Sequence, residues 1–137
     1  MSCQLIIIPI SALFITQAIK LSIDKIKGNF TWYHLAHDYG GMPSSHSALI
    51  CALLTEIALV EQGGIKSPLF AAVFIFGILK IRDAKGLRNY LSQTNKELNK
   101  LTANQPKLNE RIGHTNREIA VGCLLGIIIG FIGVLLI

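Results

Sequence analysis

Four apolar stretches organise this chain, at about 5–23, 47–60, 68–81 and 119–137. The last carries no charge and nearly reaches the ~20 residues that a helix needs to cross a bilayer. Its glycines, Gly122, Gly126, Gly130 and Gly133, include two successive spacings of four, which let a neighbouring helix approach closely in lipid. The first stretch is interrupted by Pro9, Gln17 and Lys20. It has no basic leader, and no clear small-residue cleavage site follows it, so it is expected to be a retained helix. The second and third are short for a span and are expected to borrow polar flanking residues and to be shielded by the outer helices. Glu56 lies inside the second; it should face protein or water, either paired within the bundle or lining a cavity. The pattern predicts an all-α, polytopic membrane helical bundle. About four transmembrane helices would form a single domain over residues 1–137, with a polar linker at 89–109. In that linker Leu91, Leu98, Leu101 and Leu108 recur at seven, three and seven. Such spacing fits a surface helix on the membrane interface, ended before Pro106, as well as it fits a mobile loop.

Composition supports lipid as the solvent. Of 137 residues, 51% are apolar and 15% charged, and a small soluble fold has little interior in which to hide that much apolar surface. Cys3, Cys51 and Cys123 sit in or beside apolar runs without a CxxC pair, as thiols used as small hydrophobes do. The basic residues cluster beside the apolar runs: Lys80, Arg82, Lys85, Arg88, Lys96, Lys100, Lys107, Arg111 and Arg117 all fall within 80–118. If all four stretches cross, that segment and 20–46 share one face, opposite both termini. The basic excess then puts the long loops in the cytoplasm and the termini outside. Nucleic acid is not an expected partner, because the charge flanks membrane spans and no recognition motif accompanies it. Walker, dinucleotide and HExxH motifs are absent.

Three polar strings carry the candidate chemistry. Gly40-Gly41-Met42-Pro43-Ser44-Ser45-His46-Ser47 precedes the second stretch. The glycines permit a tight turn, and Ser44 or Ser45 can cap the helix. Its first backbone N–H groups and the serine hydroxyls make a seat for an anion, and His46 could give a proton to a leaving group there. Arg111-Ile112-Gly113-His114-Thr115-Asn116-Arg117-Glu118 precedes the fourth. His114 and Glu118 share a face if the segment is helical, so the carboxylate could hold one imidazole nitrogen and leave the other as base or nucleophile. Thr115 and Glu118 equally match a capping box, which would start the helix near Asn116 and leave His114 outside it. The third string, Lys80 to Arg88, offers Arg82 and Arg88 as phosphate grips, with Asp83 able to orient one of them. Alternatively it is a basic flank meeting anionic headgroups. His34, His37 and Asp38 form a further polar cluster; His34 and His37 could share a helix face as metal ligands, but a third ligand to join them is not evident. Trp32, Tyr33 and Tyr39 read as interfacial anchors.

Together GGMPSSHSA (Gly40 to Ala48), DAKGLR (Asp83 to Arg88) and GHTNRE (Gly113 to Glu118) resemble the divergent PAP2 family, relatives of the type 2 phosphatidic acid phosphatases and vanadium haloperoxidases. Gln17 with Lys20 fits the same likeness, which covers nearly all of the chain outside the Asn-rich linker. The resemblance implies phosphate-ester chemistry in a helical membrane protein. His114 would be the nucleophile, Glu118 its orienting carboxylate and His46 the general acid. Ser45 and the adjacent backbone would hold the phosphate, and Arg111 would match the arginine that precedes the nucleophile. The sequence departs from the wider superfamily in several places. It has PSSH for PSGH, an arginine closer to the second histidine and a final Glu for Asp. The Lys-x6-Arg-Pro element is missing, so Lys20, Lys25, Arg82 or Arg88 would supply its phosphate contacts. Against a usual core of six helices only four spans are seen, so either the fold is reduced or a homodimer completes it. The expected function is a membrane phosphatase that hydrolyses a lipid phosphate monoester through a phosphohistidine intermediate, with no metal or other cofactor. Its expected partners are that lipid phosphate and anionic lipids. The alternative is a non-catalytic scaffold or headgroup-binding protein.

Overall fold

The computed structural model describes residues 4–26, 41–102, 106–110 and 112–136; the side chains of Asp24 and Ile26 are outside the description. Those residues form α1 (Gln4–Ile26), α2 (Ser45–Val60), α3 (Pro68–Lys85), α4 (Leu87–Leu101) and α5 (Asn116–Leu136), with a short 3-10 turn at Gly64–Lys66. No strand occurs among them. The expectations for His34, His37, Asp38, Trp32, Tyr33, Tyr39 and Arg111 fall outside the described residues.

α2 is the centre of the bundle and packs on α5, α1 and α3, while α4 leans on α3. The α2–α5 seam is built from small residues in matched steps of four. A Cβ at Gly122 would collide with the Ser44 carbonyl, one at Gly126 with that of Ala48, and one at Gly130 would come within 2.8 Å of that of Ala52. Backbone therefore lies on backbone, the close approach that small residues allow in lipid. Gly133 faces Ile8 of α1 instead, and Gly77 of α3 sits against Ile50.

The interior is correspondingly light. Its buried apolar residues include Ala12, Ala48, Ala52 and Ala84, with Ile8, Ile50, Ile57 and Ile119 as the larger members. The large side chains point outward, Phe14, Phe74, Phe76, Leu124 and Phe131 among them. So much exposed apolar surface would be a liability in water and is ordinary against acyl chains. α1 over residues 4–23 and α5 are long and apolar enough to cross a membrane; α2 is apolar but spans 16 residues. α3 carries Lys80, Arg82, Asp83 and Lys85 in its C-terminal part. A count of four crossings thus rests on α2 and α3 acting as short spans. Glu56 is fully buried on α2, and neither carboxyl oxygen has a hydrogen-bond partner among the described residues.

Turn chemistry sets the helix ends. Gly63 and Gly64 take positive φ, +92° and +50°, conformations open to glycine at little cost. Ser67 then caps α3 by accepting the Phe70 N–H at 3.1 Å, with Pro68 in the first turn. The 89–109 linker is helical as far as Leu101, so its helix stops well ahead of Pro106.

Candidate functional site

The α2–α5 seam brings two of the polar strings together at its end. Ser44 N–H donates to the Glu118 carbonyl at 3.1 Å, joining segments 74 positions apart in sequence. Ser44 occupies the N-cap position of α2, yet its side chain makes no capping bond; it accepts the Ser47 hydroxyl at 3.0 Å. The expected serine cap is therefore not formed by Ser44, which is held against Gly122 and turned towards Ser47. The first-turn N–H groups of Ser45, His46 and Ser47 have no intrahelical acceptors, as at any helix start. They remain available to an anion. Ser45 is buried; His46 is exposed at the rim.

At the α5 entry both readings of Glu118 hold at once. Thr115 and Glu118 form the reciprocal capping box: Thr115 N–H donates to Glu118 Oε2 at 3.0 Å, and Glu118 N–H to Thr115 Oγ1 at 3.3 Å. The helix starts at Asn116. His114, just outside the helix, nevertheless has its ring Nδ1 3.2 Å from the same Oε2. His114 is 2% exposed, and its Nε2 has no hydrogen-bond partner among the described residues. Loss of hydration pushes the His114 pKa below the ordinary 6.5, with the Glu118 hydrogen bond opposing that shift and the charges of Lys20 and Arg88 adding to it. The ring is then neutral at pH 7. With Nδ1–H donated to the carboxylate, Nε2 presents a lone pair.

Two further elements reach this point. Lys20, nearly buried on α1, runs along Gly41: a Cβ there would lie 3.0 Å from Lys20 Cε and 3.6 Å from Nζ, and Gly41 has φ +112°. Both facts favour glycine at that turn. Arg88, at the start of α4, donates from Nε to Asp83 Oδ2 at 3.2 Å. His46, which precedes the apolar part of α2, has a pKa below 6.5. Partial loss of hydration is the largest cause, followed by the charges of Arg88, His114, Lys80 and Lys20. The two imidazoles, Lys20 and Arg88 therefore share one electrostatic neighbourhood. Arg82 does not face it in this way. It lines a cavity with Lys85, Gly86, Asn89, Tyr90 and Gln93, which shares none of its lining with either histidine.

What holds the His114 segment in place was not legible in the motifs. The chain breaks between α3 and α4 at Gly86. That break frees the Ala84 carbonyl to accept the His114 N–H at 3.2 Å, and the Asn89 side chain takes the Lys85 carbonyl at 2.8 Å. Along α4 a polar stripe then reads the returning strand of chain. Asn99 bonds Leu108 through both its N–H and its carbonyl, Asn95 donates to the Asn109 carbonyl, and Ser92 Oγ accepts the N–H groups of Ile112 and Gly113. Asn89 fills the space where a Gly113 side chain would go. The signal was present in the sequence as Asn89, Ser92, Asn95 and Asn99, spaced three, three and four.

Comparison with known proteins agrees with this picture. The model of the divergent PAP2 family matches residues 1–129. The chain belongs to the divergent PAP2 family. It is also similar to a Bacillus subtilis (strain 168) protein named "Uncharacterized membrane protein YuiD". The two are 33% identical over 139 positions, covering 88% of this chain and 87% of the relative. No solved structure matches. With its outward apolar side chains and two helices of spanning length, this family member is an integral membrane protein.

Proposed function

We propose that the chain is a membrane phosphatase that hydrolyses a lipid phosphate monoester through a phosphohistidine intermediate. One observation carries the reading: a buried imidazole has one nitrogen held by a carboxylate and the other unpartnered among the described residues, beside an uncapped helix start and two cations. A histidine serving only to pack or cap a helix has no use for an unpaired buried nitrogen, which costs about 1–3 kcal/mol.

The residues take these roles. The phosphoryl oxygens bind the N–H groups of the first α2 turn, Ser45, Lys20 and Arg88, with Asp83 orienting Arg88. Ser44 fixes that turn against α5. His114 Nε2 attacks phosphorus, the bond from phosphorus to the lipid oxygen breaks, and His46 protonates that departing oxygen. Water then gives its proton to His46 as its oxygen attacks phosphorus, the N–P bond breaks, and inorganic phosphate leaves. Glu118 stabilises the positive charge that the His114 ring gains during attack. The cations around His46 disfavour its protonated form; a phosphate dianion among them offsets that charge and favours loading the acid. Arg111, next to this segment in sequence, is a further candidate phosphate ligand. The excess of Lys and Arg in 80–118 supports a site on the cytoplasmic face with both termini on the other.

The test uses purified protein in mixed micelles with phosphatidic, phosphatidylglycerol and isoprenyl phosphates, following released phosphate, alongside a vanadate titration. Turnover blocked by vanadate and lost in H114A is the expected result. Vanadate binding with no product from any of the three lipids would instead favour the headgroup-binding scaffold. Cysteine labelling at positions 90–100 and near the chain ends checks the orientation; equal accessibility from one side would overturn it.

A further inference from the structure

The cavity between the end of α3 and the start of α4 takes no part in the chemistry above, and its makeup points to a ligand of its own. It has a volume of about 530 Å³ and is lined by Arg82, Lys85, Gly86, Asn89, Tyr90 and Gln93. That size falls in the usual range for a small-molecule site, roughly 300–1,000 Å³. Among the described residues the lining holds two cations, two side-chain amides and a phenol, and no carboxylate. The nearest acid in sequence, Asp83, is paired with Arg88 instead. An anion with several oxygen acceptors suits this set.

The surroundings identify the source of the anion. On α4 the side chains of Leu87, Tyr90, Leu91, Leu98 and Leu101 are all exposed, from 41% for Leu98 to 81% for Leu101. At about 100° per residue they fall within an arc of about 100°. The other side of the helix is taken up by Ser92, Asn95 and Asn99, which hold the 108–113 segment. Asn89 and Gln93 lie between these faces, and Tyr90 belongs both to the cavity and to the apolar arc. α4 also begins one residue after α3, whose apolar body precedes Arg82 and Lys85. A helix of this kind lies in the membrane interface with its apolar arc among acyl chains, and the cavity then opens at headgroup depth.

We propose that this elbow is a resident-lipid site that takes the phosphate of an anionic phospholipid, whose acyl chains lie along the apolar arc of α4. Arg82 and Lys85 neutralise the phosphate, Gln93 and the second amide hydrogen of Asn89 donate to its oxygens, and Tyr90 packs on the glycerol and upper chain. The lipid is structural, not a substrate, and keeps α4 docked where Ser92 holds the His114 segment.

Native mass spectrometry of the full chain in a neutral detergent tests this, with added phosphatidylglycerol, phosphatidylcholine or inorganic phosphate. Phosphatidylglycerol is expected to remain bound and phosphatidylcholine to be lost. R82Q/K85Q should lower retention roughly 30-fold, given about 1 kcal/mol for each basic residue at a lipid surface, while R82K/K85R retains it. Gln93→Glu, at an exposed position, should also expel the lipid and serves if the double variant does not fold. H114A should bind as the wild type does, which separates this site from the histidine site. Equal retention of both lipids, no loss in R82Q/K85Q or Q93E, displacement by inorganic phosphate, or loss of lipid in H114A would each overturn the proposal.

Discussion

The α2–α5 seam and the α3–α4 arm are held by opposite means. In the seam, glycine and alanine remove side chains until backbones touch, with Gly122, Gly126 and Gly130 against Ser44, Ala48 and Ala52. Almost any added atom has nowhere to go. In the arm, α4 is exposed over much of its surface, and Asn and Ser side chains grip the backbone of 108–113 through individual hydrogen bonds. The contrast separates tasks. The seam joins the His46 turn to the His114 segment, and in the proposed reaction their spacing must be fixed to a fraction of an ångström for one phosphorus atom to meet both. The arm supplies Arg88 and the Ala84 carbonyl, and its outer face is free to meet lipid.

The largest effect tests whether chemistry belongs to the seam end alone. H114A should reduce phosphate release on the order of 10³-fold or more, whereas R82Q/K85Q in the arm should stay within about twofold. A comparable loss in both would erase the division. Next comes packing. Gly126→Val drives a side chain into the Ala48 carbonyl and should cost about 3 kcal/mol in detergent unfolding, at the upper end for overpacking, with turnover lost as well. A variant that stays stable would mean the backbones are not in contact.

Glu118→Gln sharpens the comparison within one residue. Glutamine can still accept the Thr115 N–H, so the cap survives and stability should change by less than about 0.5 kcal/mol. The charge facing His114 Nδ1 is gone, and turnover should fall roughly 10–100-fold. Equal loss of stability and activity would make Glu118 a cap only. In the arm, Ser92→Ala leaves the Ile112 and Gly113 N–H groups without their acceptor. It should cost about 1–2 kcal/mol and slow turnover only severalfold; a loss as deep as that of H114A would show that the arm too sets the geometry.

The smallest expected effect is that of pH. His114 and His46 both have pKa values pushed below 6.5 in the folded chain, so on acidification the unfolded state takes up protons first. Stability should be level above about pH 6.5 and decline below it, as linkage requires. Turnover should decline over the same range as His114 protonates and loses its lone pair. H114A should flatten part of the stability profile; an unchanged profile would remove His114 from the account.

Much of this was readable from residue order. The apolar stretches at 5–23, 47–60, 68–81 and 119–136 are helices, because apolar run length is a local property. Steps of four between small residues announced close packing for the same reason, although the partner, α2, was not named by them. The Thr115–Glu118 box was visible as a spacing, and so was the His114–Glu118 pair. Sequence posed them as rivals because an ideal helix permits only one register. One carboxylate oxygen serves both because His114 lies just outside the helix, where its N–H donates to the Ala84 carbonyl, 30 positions away. Arg82 and Arg88 looked equivalent in the string Lys80 to Arg88. Across the break at Gly86, the charge of Arg88 acts on both histidines, whereas Arg82 lines the cavity between α3 and α4.

By itself, then, residue order determined the helices, the lipid-compatible surface and the family, since each depends on short-range spacing and side-chain type. Tertiary structure alone decided which groups meet: Ser44 with Glu118, and His114 with Ala84. Those contacts join distant segments through backbone atoms, which every residue carries alike, so no choice of side chain announces them.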